Sequence, residues 1–154
     1  MNIRPAESID AHGMSNVLNE IFDAGLRKSA GDVTLVLAQY IEHEHRIECS
    51  VAEDEQGQIL GFQSLRYAVA GNPYGVSEDW GIIGTHVNPR AGRQGIGSAL
   101  FQATLRAAKT FGLQNIDATI GEGNKMGLAY YEAMGFRTYR SGDGSISKAY
   151  KIDQ

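Results

Sequence analysis

The segment Val87-Asn88-Pro89-Arg90-Ala91-Gly92-Arg93-Gln94-Gly95-Ile96-Gly97-Ser98 is where residue types and spacing first suit chemistry, because glycines and arginines gather at a strand-to-helix junction. Glycine lets backbone N–H groups approach a ligand without a Cβ in the way, and a helix start presents unpaired donors with about half a positive charge. The segment therefore reads as an anion cradle suited to phosphate. Two familiar loops fail on spacing. Gly95-Ile96-Gly97-Ser98-Ala99-Leu100 lacks the third glycine of a dinucleotide fingerprint, and no lysine follows Gly97 to complete a Walker A loop. Neither NAD nor ATP is supported. A ligand-free glycine turn accounts for this loop alone equally well.

Further candidates lie outside the junction. Asn124-Lys125-Met126-Gly127-Leu128-Ala129-Tyr130-Tyr131-Glu132-Ala133-Met134-Gly135-Phe136 is a helical stretch that carries Tyr131. The spacing of Tyr131 with Leu128 and Met134 is that of a packed helix face, and Tyr130 reads as a packing residue. Glu42-His43-Glu44-His45 invites a metal reading, but helical residues two apart face different ways, so a solvated helix end is expected instead. Cys49 has no activating base beside it and gives no sign of a covalent intermediate.

Length and composition set the frame. At 154 residues the chain suits one domain spanning 1–154, with 42% apolar and 21% charged residues, neither disordered nor membrane-like. A net charge of −4 removes the simple argument for a nucleic-acid partner, and no membrane partner is expected. A single cysteine excludes a disulfide framework and a Cys-rich zinc site, so no metal is expected. The opening Met1-Asn2-Ile3-Arg4-Pro5 lacks the basic and apolar regions of a secretory signal, which makes cytoplasm the expected compartment.

The elements that must position these residues follow from periodicity. Ile9, Met14, Val17, Leu18, Ile21 and Phe22 predict a helix over about 8–24, ending near Gly25. Val33, Leu37 and Ile41 behind an Asp32 cap predict a second, over about 32–45. Runs at 47–53 and 58–69 form an antiparallel hairpin around Asp54-Glu55-Gln56-Gly57, and 80–87 is a further strand. A helix from Gly95 to Gly112, a strand at 115–120, a helix at 125–134 and strands around Ser141-Gly142-Asp143-Gly144 complete the pattern. Hairpins followed by one strand–helix–strand unit imply a mixed α/β sheet covered by helices.

Taken in order, Gly92–Ser98 and Asn124–Phe136 resemble the cofactor-binding motifs of the GNAT superfamily of acyl-CoA-dependent N-acyltransferases. The similarity is greater to its phosphinothricin acetyltransferase-like branch and spans Trp80 to Arg137. Ile3-Arg4-Pro5-Ala6, Asp10 and Asn19-Glu20-Ile21 also resemble the start of that branch. The resemblance implies a three-layer α/β/α fold whose mostly antiparallel sheet splays between the strands at 80–87 and 115–120.

It further implies acetyl-CoA as donor, with the pantetheine arm along Thr85, His86 and Val87, and the pyrophosphate on the amides of Gly92, Arg93, Gln94, Gly95, Ile96, Gly97 and Ser98. Valine at Gly95 or Gly97 is then expected to crowd the pyrophosphate. Asn124 corresponds to the asparagine that touches the cofactor arm, and Tyr131 to the catalytic tyrosine near its sulfur. A backbone N–H near Val87 polarises the acyl carbonyl.

Departures are Gly92, where many members carry Arg or Gln, and Ile82, where this branch often has a glutamate. That leaves the general base open, with Glu78, beside Asp79 at the start of the same strand, as the catalytic candidate. His86, pointing opposite to Thr85 and Val87, either lines the acceptor pocket or packs. Glu20, Phe22 and Tyr74, the last in a flexible-looking segment from Tyr67 to Gly75, are candidate acceptor-binding residues. The expected activity is direct N-acetylation of a small, anionic, amino-acid-like amine. The alternatives are acetylation of a protein amine, or a CoA-binding sensor without turnover. A homodimer is a further expectation of the resemblance.

Overall fold

Two hairpin runs joined by one crossover lay down the sheet in the computed structural model, which describes residues 1–92 and 94–153. In chain order the elements are β1 (Asn2–Pro5), α1 (Ala11–Asp23), α2 (Val33–Val36), β2 (Arg46–Glu53), β3 (Ile59–Tyr67), β4 (Gly81–Val87), α3 (Ile96–Phe111), β5 (Asn115–Gly121), α4 (Lys125–Met134), β6 (Arg137–Gly142) and β7 (Ser145–Lys151). The strands form one seven-stranded sheet in the order β1-β2-β3-β4-β5-β7-β6. All neighbours are antiparallel except β4 and β5.

The β4–β5 pair shapes the site. β4 pairs with β3 along its whole length, from Gly81↔Tyr67 to Val87↔Gly61, yet meets β5 only at Gly81↔Ile116 and Ile82↔Asp117. Beyond Ile82 the strands part, so the expected splay is present. Side-chain alternation then gives the opening two walls. Helices α1 and α2 cover one face over Met14, Leu18, Val36, Val51 and Phe62; α3 and α4 cover the other over Leu65, Ile83, Phe101, Ile116 and Phe136. No helix among the described residues is long and apolar enough to cross a membrane.

Most boundaries follow the expected punctuation. Gly25, Gly112 and Gly135 take positive φ just past the ends of α1, α3 and α4, where a left-handed residue closes a helix. Asp54 Oδ1 accepts from the N–H groups of Gln56 and Gln58 at 2.9 Å each, fixing the β2–β3 turn.

Two elements differ from expectation. The second helix is α-helical only over Val33–Val36 and continues as a π turn over Leu37–Ile41. It stops there because the Arg46 guanidinium donates to the Ile41 carbonyl at 2.8 Å. His43 and His45 consequently lie beyond the helix, with their rings 5.5 Å apart and not facing different ways.

The second difference is β1, a short edge strand with no sequence signal of its own. Arg4 anchors it by donating to both carboxylate oxygens of Asp10 at 2.8 Å and to Glu53 at 3.1 Å. The Arg4 hydrogen bonds hold the Asp10 carboxyl below the usual aspartate range. Asp10→Asn should therefore lower stability by about 2 kcal/mol near neutral pH. That gap should be full above about pH 4, the unfolded aspartate value, and close as pH falls through the lower native value. Thermal melts of both proteins from pH 2 to 7 check this; a pH-independent gap would contradict it.

Candidate active site

A buried hydrogen-bonded chain spans the splay on the α3/α4 side. Gln63 on β3 is fully buried. Its Nε2 donates to Thr85 Oγ1 and to the Tyr130 hydroxyl at 2.9 Å each, while its Oε1 accepts from Thr104 of α3. Thr85 Oγ1 lies 2.8 Å from the Tyr131 hydroxyl. Gln63 occupies one lone pair of Thr85, and either hydroxyl can donate in the Thr85–Tyr131 bond, so the Thr85 proton can turn toward the Tyr131 oxygen. Burial raises the Tyr131 pKa and keeps the phenol protonated at neutral pH.

Tyr130 does more than pack. Its hydroxyl donates to the Gly97 carbonyl at 2.7 Å, tying α4 to the first turn of α3, and burial pushes its pKa up to about 12. This contact also changes the account of Gly97: a Cβ there would lie 2.6 Å from Tyr130 Cε1, so that glycine is set by helix packing. Gly95 behaves differently. A Cβ on it would meet nothing within 4 Å, but its φ of +73° is a left-handed conformation that favours glycine.

The start of α3 has the features of an anion site. Gly95 is its N-cap and supplies no side-chain acceptor, so the first amides of the helix remain donors. Gly92 is extended and Gln94 exposed beside them, while Ile96 packs inward. Arg93 lies outside the described residues. Asn124 caps α4 through its Oδ1, which accepts from Gly127 N at 2.9 Å and leaves its amide N–H₂ unused by that bond.

The opposite face holds a separate pocket of about 140 Å³, lined by Tyr40, Ser64, Arg66, Tyr74, His86 and Asp117 among others. His86 points here, away from Thr85. Its Nε2 lies 3.3 Å from the Tyr40 hydroxyl, and burial, aided by Arg27 and Arg66, lowers its pKa to about 3. The ring is neutral. Tyr74 is held at the rim because Arg140 of β6 donates to the carbonyls of Tyr74 and Gly75 at 3.0 and 2.9 Å. The Asn72 side chain bridges the same loop by donating to the Val69 and Val76 carbonyls.

The remaining candidates are dispersed. Glu78 is exposed on the loop before β4, by the end where β4 and β5 still pair, and it is not among the pocket-lining residues. Asp79 accepts from the Tyr67 hydroxyl. Glu20 reaches from α1 to Arg90 at 3.5 Å, and Phe22 is exposed on α1. Cys49 is fully buried in the α1/α2 core, and burial pushes its thiol up to about 12, which removes it as a nucleophile. Sequence reasoning missed Gln63, Thr104 and Asp117. For Gln63 and Asp117 the available signal is a polar residue within a mostly apolar strand, and for Thr104 a hydroxyl on the buried face of α3.

The model of the acetyltransferase (GNAT) family matches residues 12–136, more than half of the chain. The chain belongs to the GNAT acetyltransferase family. No curated protein matches it. Among solved structures, a candidate phosphinothricin N-acetyltransferase shares 22% identity with a TM-score of 0.79, covering 99% of each chain. A candidate acetyltransferase from Salmonella typhimurium, solved with its cofactor acetyl-CoA, shares 18% identity at a TM-score of 0.76, covering 99% of this chain and 94% of that one. A ribosomal-protein-alanine N-acetyltransferase from Brucella melitensis shares 19% at a TM-score of 0.78, covering 99% and 100%. At these identities the likeness is one of fold, the GNAT fold seen in the splayed sheet.

Proposed function

We propose that this GNAT chain is an acetyl-CoA-dependent N-acetyltransferase acting directly on the amine of a small, anionic, amino-acid-like acceptor. The observation that carries this reading is the Tyr131–Thr85 pair, 2.8 Å apart beside the gap between β4 and β5 and next to the uncapped start of α3. These residues fit the cofactor. Backbone amides at 92 and 94–98 would hold the pyrophosphate, β4 beyond Ile82 offers backbone groups without a β5 partner to the pantetheine arm, and the Asn124 amide is available for that arm. Bound there, acetyl-CoA supplies a thioester whose acyl carbon accepts an amine.

The protein's own part is to polarise, donate and orient. A β4 backbone N–H near Val87 would polarise the acyl oxygen as charge develops on it, a fixed dipole that needs little reorganisation. Tyr131 gives its proton to the departing sulfur, and Thr85 and Gln63 keep that phenol oriented. Buried Cys49 supports transfer without an acyl-enzyme.

The acceptor side is supported by the pocket beneath His86. It is small, which favours a metabolite over a peptide, and Arg66 lines it without an ion pair among the described residues. That guanidinium suits a carboxylate or similar anion on the acceptor. Thiol release from acetyl-CoA, followed with a panel of L-amino acids, their decarboxylated amines and short peptides, tests the reading. Turnover with amino acids and little with the decarboxylated amines is expected. Turnover only with peptides would contradict the small-acceptor reading, and none with any amine would favour a CoA sensor.

A further inference from the structure

Asp117 is a buried carboxylate that the scheme above leaves without a task. It sits on β5 in register with Ile82, at the last paired position before the strands part, and it lines the acceptor pocket. The Tyr139 hydroxyl donates to Oδ2 and Thr119 Oγ1 to Oδ1, the latter at 2.9 Å. No cation pairs with it among the described residues.

Burying an ionised carboxylate without a cation is expensive, whereas an amide would join the same strands at lower cost. A carboxylate kept at such a place suits proton transfer better than support. Burial raises the pKa of Asp117 against the opposing effect of the Tyr139 and Thr119 hydrogen bonds, which moves it toward the working pH of a base.

We infer that Asp117 is the general base of the transfer, taking a proton from the acceptor's ammonium group in the pocket between Arg66 and the β4–β5 opening. This rests on the transferase reading. Asp117 removes one proton, forming a carboxylic acid and freeing the nitrogen lone pair. As the C–N bond forms and the C–S bond breaks, the sulfur leaves with the Tyr131 proton, and the nitrogen's second proton restores Tyr131. Asp117 returns its proton to solvent, so ammonium and thioester become amide, thiol and one released proton.

The groups around Asp117 are Tyr139 and Arg140 of β6, Arg66 of β3, His86 of β4, Tyr40 of the π turn, Tyr74 of the loop and Tyr131 across the sheet. His86, lowered to about 3, is neutral throughout the range of interest.

The test is the pH profile of kcat/KM with the best acceptor of the amino-acid panel. The wild type should show an acidic limb at higher pH than an ordinary aspartate gives. Asp117→Asn should abolish that limb and lower kcat/KM about 100-fold, with acetyl-CoA affinity unchanged by calorimetry. Tyr139→Phe removes a hydrogen bond that favours the ionised carboxyl, so the limb should move to higher pH. This second variant decides the matter if Asp117→Asn does not fold. An Asp117→Asn protein that keeps the limb, or stays within about threefold of wild type, overturns the assignment, as does a limb unmoved in Tyr139→Phe. A wild type that binds acetyl-CoA yet acetylates no amine overturns the transferase reading and this inference together, a failure distinct from turnover without the Asp117 effect.

Discussion

Tyr131→Phe should lower kcat by about 10²- to 10³-fold while the Kd for acetyl-CoA changes by less than about threefold. The substitution deletes one hydroxyl, whose hydrogen-bond partner is Thr85 at 2.8 Å. Its ring, packed against Tyr130 and Phe136 at 4.9 and 5.1 Å between centroids, should stay in place. Thr85 keeps its bond from Gln63, so the cleft wall retains its shape. The loss should therefore fall on proton donation to the departing sulfur and leave cofactor binding intact. Steady-state kinetics beside calorimetry separate the two. An unchanged kcat would remove Tyr131 from the mechanism, and a large loss of affinity would make it a binding residue.

Gly97→Val should destabilise the protein by about 1–3 kcal/mol, a fall of several degrees in Tm for a chain of this size. The added Cβ would lie 2.6 Å from Tyr130 Cε1 and 3.2 Å from Cζ, and the ring cannot retreat while its hydroxyl is held by both Gly97 and Gln63. The penalty should be smaller in a Tyr130→Ala background, because the obstacle is then gone. Thermal melts of the four proteins of this cycle measure the coupling. A Gly97→Val protein with wild-type Tm but no cofactor affinity would mean that the glycine serves the ligand alone.

How much of this was legible in the sequence depends on how local each cause is. α3 and α4 were readable to within a residue because apolar spacing and the glycines at 112 and 135 are local signals. The second helix ends earlier than its apolar spacing predicts, and the group that meets its last carbonyl, the Arg46 side chain, comes from the next strand. β1 was invisible for a similar reason: four residues ending in proline have no pattern, and Arg4 finds its partners only after folding.

The site divides the same way. Gly95 and Tyr131 stand in continuous motifs, whereas Gln63 joins Thr85, Thr104 and Tyr130 across separations of 22, 41 and 67 residues that only sheet register creates. Glu78 is a candidate in the sequence because it lies near the start of β4. Asp117 faces the same pocket from the neighbouring strand, which no linear spacing could reveal.

Acetyl-CoA is expected in the opening between β4 and β5 with its pyrophosphate on the start of α3. Calorimetric titration of the intact chain with acetyl-CoA tests it most directly. Saturable binding at one site per chain is the expected result, and an absence of binding would contradict the cofactor placement and the mechanism built on it.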